Sequence, residues 1–481
     1  MSVSLYSSID CAAGLPTTDV GARRFGYDGA EDSKKRKAPC ATIKSEDEEL
    51  PAEKRRKLQA SASNIQRNFA IAAWAIRKHL DFVTSFTFSS NNAQQVVTRE
   101  TEPTADAVQA ERSQLDDDIE GILEEAAAAD RCDTAGRHDL ATMLRLTEAR
   151  ATVVGDHFLM ELQDGTMQGI EGDRVLTPRG EIGVLHGVKV DARGRAIAYA
   201  VHSRKGSGYT FERWVPAGNV ITRGYFDRFD QVRGISPMAP ALNTLQDLYE
   251  GFDYALAKAK IAQLFGFKIT RKADDSLGNV DNDGTTARPS YRVDLGKGPW
   301  MLDLEHGDDA DIMSAEVPGE GFESYSEMMI AVSLLALDLP WNFYKVDATN
   351  FFGSRAALNL YMQSVKPKRK ANKTILKRWT KRQLQMAILT GKLRLPRTMT
   401  VDDLRWSWTP DGLPWWNPSQ EADGALKSIG AALANPQDTC LETGTNFFHN
   451  VDKIAEAMAY AKSRGVSLNF ALQPQVNITA P

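Results

Sequence analysis

Few residues in this chain have the types and spacing that chemistry requires. Asn279-Val280-Asp281-Asn282-Asp283-Gly284 copies the opening of a calcium-binding loop, where oxygen ligands alternate and a glycine turns the chain. The twelfth position is Ser290, not the bidentate Glu that closes such a site, so a turn built on Asx side chains is the better reading. Asp116, Asp117, Asp118, Glu120, Glu124 and Glu125 crowd an alanine-rich segment. Paired carboxylates can move protons or hold metals, but no histidine or nucleophile accompanies these, and a solvated helix face accounts for them. Gly296-Lys297-Gly298-Pro299 lacks the spacing and the Ser/Thr of a phosphate-cradling loop, and the seven histidines include no pair at ligand spacing. Catalytic, cofactor-binding and metal sites are therefore expected to be none. A mechanical or assembly role is the expectation.

Composition narrows the class further. At 481 residues the chain exceeds what one core serves, so several subdomains are expected. A net charge of −5 does not describe a protein that coats nucleic acid. Cys11, Cys40, Cys132 and Cys440 are scattered, with no CxxC pair, which argues against a disulfide framework or a zinc site and suits a reducing cytoplasm. No apolar run approaches the roughly 20 residues that span a bilayer, so no membrane is expected as a partner.

Charge is distributed unevenly. Residues 1–60 are poor in large apolar side chains and read as a disordered tail carrying two basic clusters, Lys34-Lys35-Arg36-Lys37 and Lys54-Arg55-Arg56-Lys57. Between Asp347 and Asp402 there is no acidic residue, while Lys366, Lys368, Arg369, Lys370, Lys373, Lys377, Arg378, Lys381, Arg382 and Lys392 are basic. That stripe fits a polyanion or an acidic neighbouring subunit, or else a solvated face.

Elements follow from periodicity. Phe69, Ala72, Ala73, Ile76 and Leu80 predict an amphipathic helix over 64–83, and an acidic helix follows over 106–130. Residues 138–160 read as a helix running into a strand, and 170–223 as short strands. Asp191-Ala192-Arg193-Gly194-Arg195 forms a hairpin connection there, with Gly194 at positive φ. Leu242, Leu245, Leu248, Phe252, Ala255, Ala259 and Ala262 predict a helix over 238–264, with Ser236 as cap and Pro237 in its first turn. A Gly- and Asp-rich β-like insert spans 266–320. A helix over about 322–337 stops at Asp338-Leu339-Pro340, and a polar loop leads to a long helix from about Ser354 to Gly391. Two shorter helices, 419–434 and 449–465, end the chain. The class is α+β.

This order resembles that of the lambda-type portal proteins of tailed bacteriophages, and several strings carry the resemblance. Gln231-Val232-Arg233-Gly234-Ile235-Ser236-Pro237-Met238-Ala239-Pro240 is the most specific. Gly155-Asp156-His157-Phe158 resembles the family's Gly-Glu-x-Phe segment, with Asp156 in place of Glu. The stretch Val190 to Tyr199 is similar to its hairpin, and Asp347 to Leu358 to the loop that opens its last long helix. Trp415-Trp416-Asn417-Pro418-Ser419-Gln420-Glu421-Ala422 resembles its Asp-Pro-x-Lys-Glu-Ala segment, with Asn417 in place of Asp.

The resemblance implies a phage portal fold with a mostly helical core, a β-rich wing and a β-containing clip. It puts the wing at 61–236, stem helices at 237–265 and 322–337, the clip at 266–321 and a tunnel loop at 338–355. The long basic helix and wing return take 356–417, and the crown 418–481. It implies a homo-oligomer, a dodecamer ring at one capsid vertex of the virion, through which double-stranded DNA is packaged and ejected. The implied partners are the terminase large subunit, the major capsid or scaffolding protein and a head–tail adaptor, with assembly in the host cytoplasm. Lys345, Asn350 and Arg355 would approach the DNA, and Phe351 and Phe352 would pack between adjacent loops. Two rivals stand beside it. One is a nucleic-acid-binding regulatory protein using the basic tail. The other is an enzyme with an unrecognised site, for which Trp406, Trp408, Trp415 and Trp416 could line a cleft.

Overall fold

The computed structural model describes residues 43–92, 105–206, 208–264, 267–271, 308–312, 320–345, 351–396, 399–412 and 417–466. The basic cluster Lys34–Lys37, the calcium-loop look-alike, the Gly296–Pro299 string, Asn350 and Trp415-Trp416 lie outside these residues.

Helices come first. A single turn α1 (Glu46–Glu49) precedes α2 (Ala52–Asn68) and α3 (Ala70–Val83), which meet at Phe69 in extended conformation. The expectation that residues 1–60 form a disordered tail is corrected over 43–60. Arg55, Gln59, Ala62 and Ile65 recur at helical spacing along α2 and are buried. Two of those four are polar, so hydropathy alone missed the face they form.

Strand β1 (Phe86–Ser90) pairs antiparallel with β11 (Trp406–Pro410), closing a loop of over 300 residues. Between them lie α4 (Ala105–Ala127), the turn α5 (Ala129–Cys132) and α6 (Leu140–Val154). The side chain of Asp139 caps α6, accepting from Thr142 N at 2.8 Å. Gly155, at φ 108°, ends α6 and releases β2 (Asp156–Glu161). The fully buried β2 is the centre of a sheet with β3 (Met167–Glu171) and β8 (Val220–Gly224) on either side. A second sheet has the order β4 (Val184–Leu185), β5 (Val188–Val190), β6 (Ala196–Lys205), β7 (Gly208–Pro216). At the β5–β6 turn, Asp191 accepts from the N–H groups of Arg193 and Arg195 at 2.9 and 2.8 Å. Gly194 takes φ 81° there, as its turn type requires.

After a 3-10 turn at Ala239–Ala241 the chain enters α7 (Leu242–Leu264). The expected start at 238, with Ser236 as cap and Pro237 in the first turn, is displaced to Leu242; Ser236 Oγ instead accepts from Met238 N at 3.1 Å and donates to Thr152 O at 2.7 Å, tying this corner to α6. Strands β9 (Phe267–Arg271) and β10 (Asp308–Ile312) pair antiparallel. The chain then returns in α8 (Glu320–Leu334), which continues as a 3-10 turn to Leu337. α7 and α8 pack antiparallel. Leu242, Leu245 and Leu248 share one core with Ile330, Leu334 and Leu337, and the Phe252 and Phe322 rings meet at 5.7 Å.

Helix α9 (Phe351–Leu389) starts three residues before the expected Ser354 and tolerates Pro367 in its interior. The two expected C-terminal helices are three: α10 (Pro418–Gly430), α11 (Pro436–Glu442) and α12 (Phe447–Ser463). Asn435-Pro436 supplies the unforeseen start, with Asn435 accepting from Asp438 N at 2.7 Å and Pro436 in the first turn. No helix of the described residues is long and apolar enough to cross a membrane.

Candidate functional site

The segment from Asp338 to Arg355 is held from both ends. Asp338 sits at φ 59° with Leu339 buried behind it, and a 3-10 turn at Trp341–Phe343 follows. Aromatic contacts fix that turn. Phe343 stacks on Phe82 of α3 at 5.6 Å and meets Tyr361 of α9 edge-on at 5.3 Å, while Tyr344 meets Trp74 at 5.8 Å. Lys368 on α9 reaches back to Asp338 at 2.9 Å. The short apolar motif Trp341-Asn342-Phe343-Tyr344 thus anchors the loop. Its density of rings beside a proline was the signal available in the sequence.

The expected site residues do not come together as one cluster among the described residues. Lys345 Nζ lies 2.5 Å from Glu327 Oε1 on α8, with both side chains about one-third exposed. Arg355 Nη1 lies 3.0 Å from Glu421 Oε1 on α10. Phe351 and Phe352 form the first turn of α9 and are not loop residues. Both cations are thus tied to carboxylates of their own chain, Lys345 to the middle of α8 and Arg355 across to the first of the C-terminal helices.

Behind this loop, the string from Gln231 to Pro240 forms a buried knot. The Arg233 guanidinium is 1% exposed and meets Asp156 with both arms, Nε to Oδ2 at 2.5 Å and Nη2 to Oδ1 at 2.9 Å. Its remaining donors go to the carbonyls of Gly172, Val175 and His186 at 2.7, 2.8 and 2.6 Å. A buried ion pair costs desolvation that only such full hydrogen bonding offsets. Asp156 also accepts from Gly234 N at 3.0 Å, and Gln231 donates to the carbonyls of Tyr225 and Arg233 at 3.2 and 2.9 Å. Asp156, noted above as a departure from Glu, supplies both arms of the pair.

A second buried network lies one helical layer away. Glu148 on α6 receives Arg223 through two bonds, at 2.7 and 3.0 Å, and the Tyr225 hydroxyl at 2.5 Å. Burial acts to raise the Glu148 pKa, but the hydrogen bond from His79 and the charge of Arg223 outweigh it and hold the carboxyl down to about 2. The His79 pKa is also lowered, chiefly by burial, against the opposing hydrogen bond to Glu148. Arg55, Arg223 and Glu148 carry no sequence signal that separates them from surface charges.

The basic segment divides in two. Arg378 binds Glu161 at 2.5 Å, Lys381 binds Asp402 at 2.7 Å and Lys392 binds Glu125 at 3.3 Å, alongside Lys368 with Asp338. Arg369 donates to Phe82 O at 2.6 Å, and Arg382 donates to Leu162 O. Six of the ten cations therefore bind the protein's own acceptors, which the charge count could not show. Of the four tryptophans proposed for a cleft, Trp408 is a core residue, donating to Thr380 Oγ1 at 3.0 Å and meeting Phe88 edge-on.

This arrangement, with two packed helices bracketing a strand pair and a long helix returning past an anchored loop, accompanies a family match. The family described as "Phage portal protein, lambda family" matches residues 34–367, more than two thirds of the chain. The chain belongs to this family of portal proteins. The match starts ahead of α2 and runs through the Arg233 knot, both helices of the pair and the first half of α9. It takes in the strings around Gly155, Val190, Gln231 and Asp347; the Trp415–Ala422 string lies beyond it. Among solved structures, the portal chain is similar to one in "Neck of empty GTA particle computed with C6 symmetry". That match has TM-score 0.47 and 15% identity, covering 80% of this chain and 93% of that one. It is also similar to chains in "Virion of native gene transfer agent (GTA) particle", at 0.45 and 16% with 81% and 98% covered, and in "Neck of native GTA particle computed with C12 symmetry", at 0.45 and 16% with 80% and 93% covered. Comparison with curated proteins gave no match. A portal protein works at a capsid vertex, and that is the role of this chain.

Proposed function

We propose that this portal chain forms a closed homo-oligomeric ring, a dodecamer, through which double-stranded DNA enters and leaves the capsid. In this reading residues 61–236 form the wing, α7 and α8 the stem, the segment carrying β9 and β10 the clip, 338–355 the tunnel loop, 356–417 the long basic helix and wing return, and 418–481 the crown. The observation that carries it is the antiparallel α7–α8 pair with an antiparallel strand pair at its far end. A chain that leaves a core on one helix and returns on the next projects what lies between them away from that core. A projecting tip suits docking of the terminase motor and later of a head–tail adaptor. The wing and crown would face the major capsid or scaffolding protein.

The tunnel loop would meet DNA through Lys345, Asn350 and Arg355, with Phe351 and Phe352 between adjacent loops. Backbone contacts of this kind position a duplex without reading its sequence, and weak contact lets it slide. Lys345 and Arg355 would reach phosphates by releasing Glu327 and Glu421, since solvent still reaches both partly exposed pairs and screens their attraction. The role would be exercised in the virion after assembly in the host cytoplasm.

The test has two parts. Mass measurement of the assembled protein should give about 640 kDa, twelve times 53.1 kDa. Packaging in vitro by the Lys345→Ala, Arg355→Ala double variant should slow or stall. Packaging at the wild-type rate would remove the DNA-contact role while leaving the ring intact.

A further inference from the structure

Helix α9 leaves four lysines without acceptors among the described residues. Lys366, Lys370, Lys373 and Lys377 recur at intervals of four, three and four residues and so share one face. Lys366, Lys370 and Lys377 are exposed and Lys373 is half-buried. None makes an ion pair or hydrogen bond through its side chain among the described residues, whereas the other six cations of the basic segment all do. The helix contains no acidic residue, so nothing on it offsets the repulsion along this ladder. Burial, and then the neighbouring charge of Lys377, lower the pKa of Lys373. Lys366, Lys370 and Lys373 line a cleft of about 730 Å³ between α9 and α11, with Asp438 and Glu442 on its other wall.

Helix α4 shows the complementary division. Its Asp116, Glu120 and Glu125 are used within the chain, by Ser90 and Asn92, by the Ser90 N–H and by Lys392. Glu111, Asp117, Asp118 and Glu124 are exposed, and among the described residues no cation pairs with them; Asp118 accepts only from Gln114. At 1.5 Å per residue the lysine ladder is about 16 Å long and the acidic face about 20 Å.

We propose that the lysine ladder of α9 is an intersubunit surface that receives the acidic face of α4 from a second copy of this chain. The two faces are different surfaces of one subunit, which is what a head-to-tail contact requires, since a ring of identical subunits joins unlike patches. An acidic helix fits this cleft better than a duplex does. The helix carries four unpaired carboxylates along about 20 Å of its exposed face, with Gly121 and Ala110 set among them as uncharged gaps. Duplex DNA carries a negative charge every ~1.7 Å of axis and would press some of them against Asp438 and Glu442. The choice of a second copy as occupant rests on the ring reading above.

The test uses the full chain and two charge-reversed sets. One is Lys366→Glu, Lys370→Glu, Lys377→Glu; the other is Asp117→Lys, Asp118→Lys, Glu124→Lys. Each set alone should weaken self-association about tenfold or more at low salt, as seen by sedimentation, and the wild-type association should weaken as salt rises. A mixture of the two sets should associate again, because each then meets its opposite. Both sets should keep the wild-type circular dichroism spectrum, which makes the mixing arm independent of folding. Wild-type association of the lysine-reversed set overturns the proposal, as does failure of the mixture to associate. Normal association with lost binding to a short duplex overturns it in favour of a phosphate contact. Wild-type chains that associate through these faces into open chains uphold the contact and refute the closed ring. Wild-type chains that do not associate at all overturn both.

Discussion

Arg55 on α2 donates from Nη1 to the carbonyl oxygen of Gly234 at 2.7 Å, joining residues 179 positions apart in the chain. The contact pins the first long helix to the knot around Arg233. Burial, followed by the repulsion of Arg233, lowers the Arg55 pKa to about 10, with Asp156, Asp47 and Glu46 opposing. Arg55→Ala should lower the stability of the chain by about 1–2 kcal/mol, toward the low end for a charge-assisted bond because Nε and Nη2 are buried without partners. Chemical denaturation checks this, and an unchanged midpoint would show that the helix is held by its other buried residues, Gln59, Ala62 and Ile65.

Gly155 passes so close to Gly234 that a β-carbon on it would lie 2.6 Å from the Gly234 carbonyl oxygen. Its φ of 108° is also one that side chains rarely adopt. Gly155→Ala should therefore cost about 2 kcal/mol or more and loosen the knot, whereas Gly194→Ala, at an open turn, should cost less. Hydrogen exchange at Gly234 and Ile235 distinguishes the two: protection there should fall only in the Gly155 variant.

His157 lies in the central strand β2 and is buried, which lowers its pKa from 6.5 to about 4. The folded state therefore binds this proton less readily than the unfolded chain. The stability held above pH 6.5 is lost as pH falls from 6.5 toward 4, on the order of 3 kcal/mol in all. His157→Phe removes this titration and should flatten the decline between those values, leaving the contribution of His79, whose pKa burial also lowers. An equally steep decline in the variant would assign the acid sensitivity elsewhere.

Cys132 is buried in the core beneath α4, and burial pushes its thiol up to about 12. The thiolate is the reactive form, so Cys132 should resist iodoacetamide at pH 8 in the folded protein and react on unfolding. Cys440, on α11 and partly exposed, should react before Cys132. Mass mapping of the alkylated peptides gives the order directly.

Local signals account for much of the fold. Leucines three and four apart placed α7, and Asp338-Leu339-Pro340 marked the end of α8, each to within a few residues of the observed bounds, and Asp191 and Gly194 specified the β5–β6 turn because their bonds close within five residues. Such features depend on neighbours along the chain, which a sequence displays. The same holds for the string around Gly234, whose conjunction of Gly, Ser and Pro pointed to the portal family before any packing was known.

Partnership across space is another matter. Whether Lys368 is a free cation or the mate of Asp338, whether Lys345 is held by Glu327, and whether Arg55 is tail or core depend on acceptors 18 to 179 residues away. A side chain's charge is written in the sequence; the burial and the opposing carboxylate that decide its use are not. Composition therefore made residues 43–60 look unfolded and the long helix look uniformly cationic. Only the tertiary packing divides that basic segment into six cations that hold the chain together and four lysines without such partners among the described residues, because desolvation and hydrogen bonding are properties of the assembled surface.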